Sequence, residues 1–284
     1  MTISEVNVFV IKAGWRSWTF CRISDGNLVG WSELSDSNTC IQSTIESILL
    51  AKDLIIGTKI DEYRNTLEKI KYRYRQNINL GCLKGIAAIE NALIDIFAKS
   101  LNVTVANLLK GIKSYPVPVY WSHFGTTRIR AFESCLLPQL KNESDLIAIY
   151  GESLSKGIKT VKSNICVLGD DSSYVFMPGT GKGIKTFRAD ETQYSIAIKA
   201  INKWIEIGKT ISSDLQIAID LNYNLPLKMH LNLDPNAAWY EFDVDSLQSL
   251  YTNKFPLNHT RLSGENFLNI NDISRLFASD SVDI

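Results

Sequence analysis

The sequence predicts an α/β fold in which a small α+β region precedes a parallel sheet or barrel. The first 35 residues contain apolar runs separated by turn residues, which is typical of antiparallel strands. From about Thr39 the apolar residues recur at helical spacing. After Pro118 short apolar runs alternate with helical patterns, and this alternation is typical of parallel strands joined by helices.

The N-terminal region is expected to form three strands followed by three helices. The strands are predicted at residues 6–10, 18–23 and 28–31, with a tight turn at 24–27. The helices are predicted at residues 40–52, 61–74 and 83–100. Pro116 and Pro118 then interrupt the pattern, so we expect one domain at residues 1–115 and a second at 116–284.

The second region is expected to consist of strand–helix units. Its strands are predicted at residues 117–121, 160–165, 215–219, 237–240, 260–263 and 282–284. Its helices are predicted at residues 143–155, 193–207 and 246–251. Residues 169–192 are rich in glycine, serine and aspartate, and we expect them to form a long loop that helps to shape a substrate site.

These units are too few for a closed eight-unit barrel. Such a barrel takes roughly 250 residues, or about 31 per unit, so residues 117–284 supply about five and a half units. An open barrel of this size would expose core and edge groups. Either the chain is a C-terminally truncated piece or the barrel interpretation is wrong. We expect the 284 residues alone neither to close a barrel nor to turn over substrate.

The composition gives no sign of a nucleic acid or membrane partner. Lysine plus arginine equals aspartate plus glutamate at 30 each, so there is no basic excess. No apolar run is long enough to cross a bilayer, and the first residues resemble a strand and not a signal peptide. The five cysteines are far apart and lack metal-binding spacing, so we expect buried thiols and a cytoplasmic location.

Three carboxylates lie at the ends of three successive predicted strands. Asp220 ends LQIAID, Glu241 ends AAWYE and Glu265 ends TRLSGE, at separations of 21 and 24 residues. Neighbouring parallel strands end at one edge of a sheet, so these side chains should converge, where they would repel one another without a cation. An oxygen-only site of this kind suits Mg²⁺. The alternative is that each acid is a solvated or helix-capping residue at a strand end.

Two further strand positions indicate chemistry near these acids. Lys162 lies inside an apolar run with Asn164 on the same face. Its pKa should fall, or it should find a charged partner, which makes it a candidate general base. The alternative is a lysine that extends from the strand end to water. Ser122 and His123 follow the first predicted strand of the second region, at residues 117–121, and should lie at the same edge. The alternative for His123 is structural, because a single histidine after a strand is more often a structural hydrogen-bonding residue.

Eight short segments occur in a specific order and spacing. They are DGNLVGWSE (25–33), GIAAIENALIDIFAKSLNVTVANLLKG (85–111), VYWSH (119–123), VKSN (161–164), IDLN (219–222), WYE (239–241), SGEN (263–266) and SDSVDI (279–284). Together they resemble the mandelate racemase and muconate lactonizing branch of the enolase superfamily over essentially the whole chain. The resemblance implies an N-terminal α+β capping domain followed by a modified TIM barrel, which is incomplete in this chain.

The resemblance also implies roles for single residues. Asp220, Glu241 and Glu265 match the three magnesium ligands of the family, and Lys162 matches the first lysine of its KxK pair. The implied substrate positions are Ser122, His123, Asn164, Asn222 and, in a lid loop at residues 14–18, Trp15 and Arg16. The shared chemistry of the superfamily is removal of a proton next to a carboxylate, with magnesium stabilising the enediolate.

The residue at position 164 favours one reaction of this family. Racemases carry a second lysine there, whereas Asn164 and the loop at 165–183 resemble acid-sugar dehydratases, in which loss of the α-proton is followed by departure of a β-hydroxyl. We therefore predict a Mg²⁺-dependent acid-sugar dehydratase with a small sugar-acid substrate, forming a homo-oligomer at full length. A racemase, epimerase or cycloisomerase is one alternative, and a non-catalytic remnant or binding module is another.

Two departures from the family pattern bear on the site. The connection from Asp220 to Glu241 is shorter than usual, and residues 225–236 form at best a poor helix, which could displace Glu241. The sequence also ends before the acid and the histidine that the family carries on its sixth and seventh strands. The acid–base pair on the other face of the substrate is therefore not among these residues.

Overall fold

A computed structural model describes the chain at residues 1–34, 41–76, 78–110, 116–170, 172–179, 189–243, 260–265, 267, 270–278 and 282–283. The chain divides into two compact units, Met1–Pro116 and Val117–Ile284. Each unit contains its own cluster of buried apolar residues. No helix in these ranges is both long enough and apolar enough to cross a membrane.

The first unit contains a three-stranded antiparallel sheet in the order β1-β2-β3. Its strands are β1 (Glu5–Ala13), β2 (Arg16–Ser24) and β3 (Val29–Leu34). In the turn between β2 and β3, the Asp25 carboxylate accepts hydrogen bonds from the backbone N–H groups of Asn27 and Leu28. The three predicted strands are therefore present, and each is longer than the sequence pattern indicated.

Helices cover one face of this sheet, and the longest of them carries the apolar stripe that the sequence predicts. The helices are α1 (Ile41–Ile55), α2 (Tyr63–Tyr74), α3 (Leu80–Ser100) and α4 (Val105–Leu108), with a 3-10 turn at Ile60–Glu62. Ile89, Leu93 and Ile96 of α3 are fully buried. A Cβ at Gly30 of β3 would lie 2.1 Å from the Ala92 carbonyl oxygen, so the close approach of β3 to α3 requires glycine.

The second unit contains a parallel sheet in the order β4-β7-β8-β9 and a separate antiparallel pair, β5-β6. The strands are β4 (Thr160–Asn164), β5 (Cys166–Leu168), β6 (Ser173–Val175), β7 (Gln216–Asn222), β8 (Tyr240–Phe242) and β9 (Arg261–Leu262). Beside β4, Trp121 forms a parallel bridge with Val161, and beside β9 the Asp283 N–H donates to the Arg261 carbonyl. Because successive strands are neighbours, the sheet has the βα order that the sequence predicts.

Helices pack against this parallel sheet. They are α5 (Thr126–Arg130), α6 (Glu143–Ser155), α7 (Glu191–Ile211) and α8 (Ile270–Ala278), with a 3-10 segment at Leu227–Asn232. α6 and α7 begin at capping boxes formed by Asn142 and Asp190. In the core Phe124 stacks on Tyr150, whose ring meets Trp204 edge-on. The predicted bounds of α6 are confirmed, whereas α7 extends beyond its prediction at both ends.

Several predictions differ from the structure or fall outside its described part. The strand predicted at residues 237–240 overlaps β8 (Tyr240–Phe242) at residue 240 alone. The strand predicted at residues 117–121 is wrong except at Trp121, because Pro116 and Pro118 lack N–H groups and residues 116–120 form no sheet pairing. The loop predicted at 169–192 contains the strand β6 before residue 180. The helix predicted at 246–251 lies outside the described residues. No disulfide joins the described cysteines Cys21, Cys82, Cys135 and Cys166.

Candidate metal centre

The structure brings together the three carboxylates that the sequence singles out. Asp220 of β7 and Glu241 of β8 are paired in the parallel register, and Glu265 follows the end of β9. One oxygen from each side chain lies within 4.8 Å of the others. Asp220 and Glu241 are buried and Glu265 is exposed. The short connection between β7 and β8 does not displace Glu241, because its 3-10 segment spans the gap without an α-helix.

Lys162 lies against the two buried carboxylates. Its Nζ donates a short hydrogen bond to Glu241 Oε2 and lies 3.9 Å from Asp220 Oδ2. Only 12% of its side chain is exposed, so it does not extend to water as the alternative required. Burial lowers the pKa of Lys162, but the hydrogen bond and negative charge of Glu241 and the charge of Asp220 raise it more. Of the two outcomes expected for this lysine, the structure therefore shows the charged partner.

The three carboxylates carry more negative charge than Lys162 balances. Three carboxylates face one ammonium group, and burial together with the charge of Glu241 raises the pKa of Asp220 to about 7, against the opposing effect of Lys162. A surplus of converging carboxylate oxygens, with no nitrogen or sulfur donor among them, is the donor set that a hard divalent cation prefers. The residues present thus fit a magnesium ion in charge and in chemistry.

Ser122 and His123 form the turn that follows the bridge at Trp121. Ser122 is exposed, and His123 is partly buried with φ of 53° in the left-handed region. The His123 carbonyl accepts hydrogen bonds from the N–H and the hydroxyl of Thr127 in the first turn of α5. This backbone role is structural, and the predicted contact of both side chains with substrate stays a prediction.

Asn164 and Asn222 are joined to each other and to one of the carboxylates. Asn164 Nδ2 donates to Asn222 Oδ1 at 2.9 Å, and the Asn222 N–H donates to Asp220 Oδ1 at 3.1 Å. Asn222 has φ of 47° at an irregularity in the β7–β8 pairing. Asparagine tolerates this left-handed conformation better than most residues. The structure thus places both predicted substrate positions beside Asp220, and their contact with substrate remains a prediction.

Two residues near this centre were not singled out from the sequence. The Tyr120 ring centroid lies 5.5 Å from Lys162 Nζ and 5.3 Å from the Trp239 ring. The Thr126 hydroxyl donates to Asn164 Oδ1 at 2.8 Å. The alternation of side chains before Ser122 could have indicated Tyr120, since the two are two positions apart. Nothing in the sequence pattern indicates Thr126, because its contact is between side chains of distant segments.

Trp15 and Arg16 lie in the hairpin between β1 and β2 of the first unit. Arg16 pairs with Ala13 across the turn, and its guanidinium lies over the rings of Trp15 and Trp18 at 4.8 and 4.3 Å. Contacts of this geometry stabilise the loop through the attraction of the cation to the aromatic faces. The structure describes this hairpin within its own unit, so a substrate role for Trp15 and Arg16 remains a prediction.

The first unit matches a known domain family. Residues 10–110 match the family model "Mandelate racemase / muconate lactonizing enzyme, N-terminal domain". No curated protein matches the chain significantly in sequence.

The fold is similar to solved structures of several related proteins. One is a proposed L-alanine-DL-glutamate epimerase from Burkholderia xenovorans strain LB400, with 26% identity, a TM-score of 0.87, and coverage of 100% of this chain and 73% of that chain. A second structure under the same description, bound to magnesium and fumarate, has 26% identity, a TM-score of 0.86, and coverage of 99% and 71%.

A more distant likeness extends to a third structure. It is an enolase from Agrobacterium radiobacter, proposed to be a galactarate dehydratase and bound to sodium and L-malate. The identity is 18%, the TM-score is 0.77, and the alignment covers 100% of this chain and 66% of that chain. At this identity the likeness concerns the fold alone.

Proposed function

We propose that the chain is a member of the mandelate racemase and muconate lactonizing enzyme branch of the enolase superfamily, whose N-terminal domain model its first unit matches, and that it carries the proton-abstracting half of an acid-sugar dehydratase site. The observation that carries the proposal is the position of Lys162, whose amine lies directly against Glu241 and close to Asp220. A base next to a candidate metal site is what removal of a proton beside a carboxylate requires.

Asp220, Glu241 and Glu265 would hold the magnesium ion. The relative from Burkholderia xenovorans is bound to magnesium, and the oxygen-only donor set of this chain suits the same ion. When bound, magnesium would draw negative charge from the substrate carboxylate as the proton leaves. With Asp220 and Glu241 engaged as ligands, Lys162 would lose the ion pair that holds its proton.

Lys162 and Asn164 would then have separate roles in the reaction. Lys162, as a neutral amine, would take the α-proton and become an ammonium group. The electrons of the broken C–H bond would form the C–C double bond as the β-hydroxyl leaves as water, with the proton that Lys162 has removed. The product is an enol, which becomes a 2-keto-3-deoxy sugar acid. Asn164 would bind a substrate oxygen on the same strand face as Lys162.

Asn164 favours dehydration over racemisation. Racemisation or epimerisation needs a second acid on the opposite face of the carbon, to return a proton there after the first has been removed. The residue that shares the strand face with Lys162 is Asn164, whose amide does not transfer protons. In a dehydratase, by contrast, the hydroxyl group leaves from the neighbouring β-carbon. The α-carbon, from which the proton was removed, is not reprotonated on the other face at that stage.

An epimerase is the second candidate function. The relative described as a proposed L-alanine-DL-glutamate epimerase is 26% identical over the whole of this chain. In this case Lys162 would still remove the α-proton, and a residue other than Asn164 would return one to the opposite face. The two candidates therefore share the base and the metal ligands and differ in the fate of the β-hydroxyl.

An exchange experiment in D₂O tests the proposal. The 284-residue chain is incubated with Mg²⁺ and a panel of aldonic and aldaric acids, and NMR follows deuterium at the α-carbon and the appearance of a 2-keto product. We expect Lys162-dependent loss of the α-proton signal. A keto product supports dehydration and contradicts the expectation that these residues alone do not turn over. Deuterium at an α-carbon of unchanged configuration supports the proton-abstracting half alone, and deuterium at an α-carbon of inverted configuration supports the epimerase.

Lys162→Gln should lower the exchange rate by about 10²- to 10⁴-fold, as removal of a general base does. The matched control is Lys159→Gln, because Lys159 precedes the same strand but pairs with Asp214 at the surface. Equal exchange by the two variants would rule out Lys162 as the base. An absence of both exchange and saturable Mg²⁺ binding in the wild type would contradict the proposed function.

A further inference from the structure

Thr126 is buried at the start of α5, and its hydroxyl contacts Asn164 and Ser163 of the neighbouring strand β4. Only 5% of Thr126 is exposed. Its Oγ1 accepts a hydrogen bond from the Asn164 backbone N–H at 3.2 Å and donates to Asn164 Oδ1 at 2.8 Å. Ser163 Oγ is also within hydrogen-bond distance of Thr126 Oγ1, at 3.3 Å. One threonine hydroxyl thus contacts both the backbone and the side chain of Asn164.

This arrangement fixes the direction of the Asn164 amide. A hydroxyl group has a single proton, and here the amide oxygen receives it. The amide nitrogen must then point the other way, where it donates to Asn222 Oδ1. A reversed Asn164 amide would bring two carbonyl oxygens together, so the hydroxyl of Thr126 decides which end of the amide meets Asn222.

Asn222 links Asn164 to the carboxylate of Asp220 through hydrogen bonds. Its side chain is held by Asn164, its carbonyl accepts from the Asp243 N–H at 3.1 Å, and its own N–H donates to Asp220 Oδ1. With φ of 47° this backbone is of a kind that persists only where its surroundings hold it. The interaction with Asn164 is one of the contacts that hold it.

We propose that Thr126 is a positioning residue: through Asn164 and Asn222 it orients the Asp220 carboxylate toward the metal site. The proposal rests on the proposed function only in taking Asp220 as a magnesium ligand. Residues that hydrogen-bond to metal ligands, or that hold such residues, tune metal affinity without touching the ion. Thr126 acts one step further out, and it also leaves the second N–H of Asn164 for an oxygen of the substrate.

Magnesium calorimetry on folded variants tests the connection. Thr126→Val keeps the shape and removes the hydroxyl, and we expect Mg²⁺ to bind about 10-fold more weakly, at the low end of the range for residues that support metal ligands. Thr126→Ser restores the hydroxyl and should bind like the wild type. Ser153→Ala is the matched control, because it removes another buried hydroxyl of the same unit, which donates to the Ile158 carbonyl at 2.7 Å.

A second readout needs no metal. In ¹⁵N-labelled protein the side-chain NH₂ signals of Asn164 and Asn222, assigned by substitution of each, report the hydrogen bonds of the two amides. We expect Thr126→Val to shift both signals and to speed their exchange with water. Thr126→Ser and Ser153→Ala should leave both signals unchanged. This readout decides the proposal even if the wild-type chain binds no Mg²⁺, an outcome that would count against the proposed function alone.

Asn222→Gly provides an independent variant if Thr126→Val does not fold. Glycine accepts φ of 47° without strain but cannot accept the hydrogen bond from Asn164. We expect the same 10-fold order of loss in Mg²⁺ affinity as for Thr126→Val. Wild-type affinity in Asn222→Gly, unchanged asparagine signals in Thr126→Val, or equal losses in Thr126→Val and Thr126→Ser would each overturn the proposal.

Discussion

Two groups of buried charges in the second unit differ in their balance. At the strand ends Asp220 and Glu241 are buried with Glu265 nearby, and Lys162 is the one cation that contacts them within the described residues. Between α5 and α6, by contrast, the fully buried Arg128 donates to Glu152 at 2.6 Å, and Glu152 also pairs with the exposed Lys156. The first group therefore has surplus buried negative charge, whereas in the second the buried cation Arg128 has an anion of its own, and Arg128 and Glu152 are called the balanced pair below.

The surroundings of Arg128 show how a balanced charge is buried. Its side chain is fully buried, and its guanidinium lies 5.4 Å from the Trp121 ring centroid and 5.9 Å from that of Phe124. Nε and Nη1 have no hydrogen-bond acceptor in the described residues, so aromatic faces and Glu152 are its partners. A site completed by its own residues in this way supports the fold, whereas the surplus of carboxylates at the strand ends indicates a ligand.

The largest expected effect is the loss of Mg²⁺ binding when one of the three strand-end carboxylates is removed. Glu241→Gln keeps the size of the side chain and removes one of the three negative charges. We expect Mg²⁺ affinity to fall by more than about 100-fold, beyond the range for residues that only support ligands. Calorimetry measures this affinity.

The stability of Glu241→Gln without metal should stay close to that of the wild type. Asp220 remains near Lys162 as its counter-ion, and the repulsion between Asp220 and Glu241 is removed. Urea unfolding provides this second measurement. A variant that loses stability but binds Mg²⁺ like the wild type would show that Glu241 belongs to the fold and not to a metal site.

The balanced pair should behave in the opposite way. Glu152→Met leaves Arg128 buried without its anion, and we expect a loss of about 3 kcal/mol in the free energy of unfolding, with no change in Mg²⁺ affinity. The loss should lie at the low end for buried pairs, because 29% of the Glu152 side chain is exposed.

Lys156→Met is the control for this variant. Lys156 also pairs with Glu152 but is 54% exposed, so its removal should cost less than about 1 kcal/mol. Similar losses for Glu152→Met and Lys156→Met would show that burial of Arg128 is not what makes the pair important.

The sequence predicted the strand-end acids better than the surroundings that hold them. Asp220 and Glu241 each follow an apolar run, and parallel register then brings them together, so a local pattern was sufficient. The contact of Lys162 with its acidic neighbours followed from the cost of burying a lone ammonium group. In both cases the prediction rested on a periodic pattern or on charge, which a single sequence displays.

Other features depend on contacts that no local pattern encodes. The hydroxyl of Thr126 meets Asn164 38 residues later, and Asn222 turns into the left-handed region where the strand pattern predicts nothing unusual. At residues 117–121, conversely, a local pattern is present without the structure that it predicts. Their apolar pattern resembles a strand, but prolines remove the N–H groups that a strand needs, so only Trp121 pairs.

A smaller effect distinguishes the ion pair from the helix that carries it. Asn142→Ala removes the cap of α6, whose Oδ1 accepts from the Asp145 N–H at 3.1 Å, and leaves Arg128 and Glu152 in place. We expect a loss of about 1 kcal/mol, typical of an N-cap. Urea unfolding measures it. A loss as large as that of Glu152→Met would mean that the integrity of α6, and not the charge of Glu152, determines the stability of this region.

The smallest expected effect is the pH dependence of the balanced pair. The hydrogen bond from Lys156 and the charge of Arg128 lower the pKa of Glu152, against the opposing effect of burial. A carboxyl with a lowered pKa stabilises the fold at pH values above its ordinary pKa, and this contribution is lost as the pH falls through the lowered value. The difference in unfolding free energy between wild type and Glu152→Met should therefore stay level from about pH 7 to about pH 5 and shrink as the pH falls further, through the lowered pKa.

Ser153→Ala is the control for this pH dependence, because the hydroxyl that it removes does not titrate in this range. Its difference from the wild type should stay constant over the same pH interval. If the Glu152→Met difference is equally constant, the carboxylate charge contributes nothing to the burial of Arg128. The aromatic rings of Trp121 and Phe124 would then be the partners that make a buried guanidinium tolerable, and the contrast with the strand-end acids would rest on packing instead of charge balance.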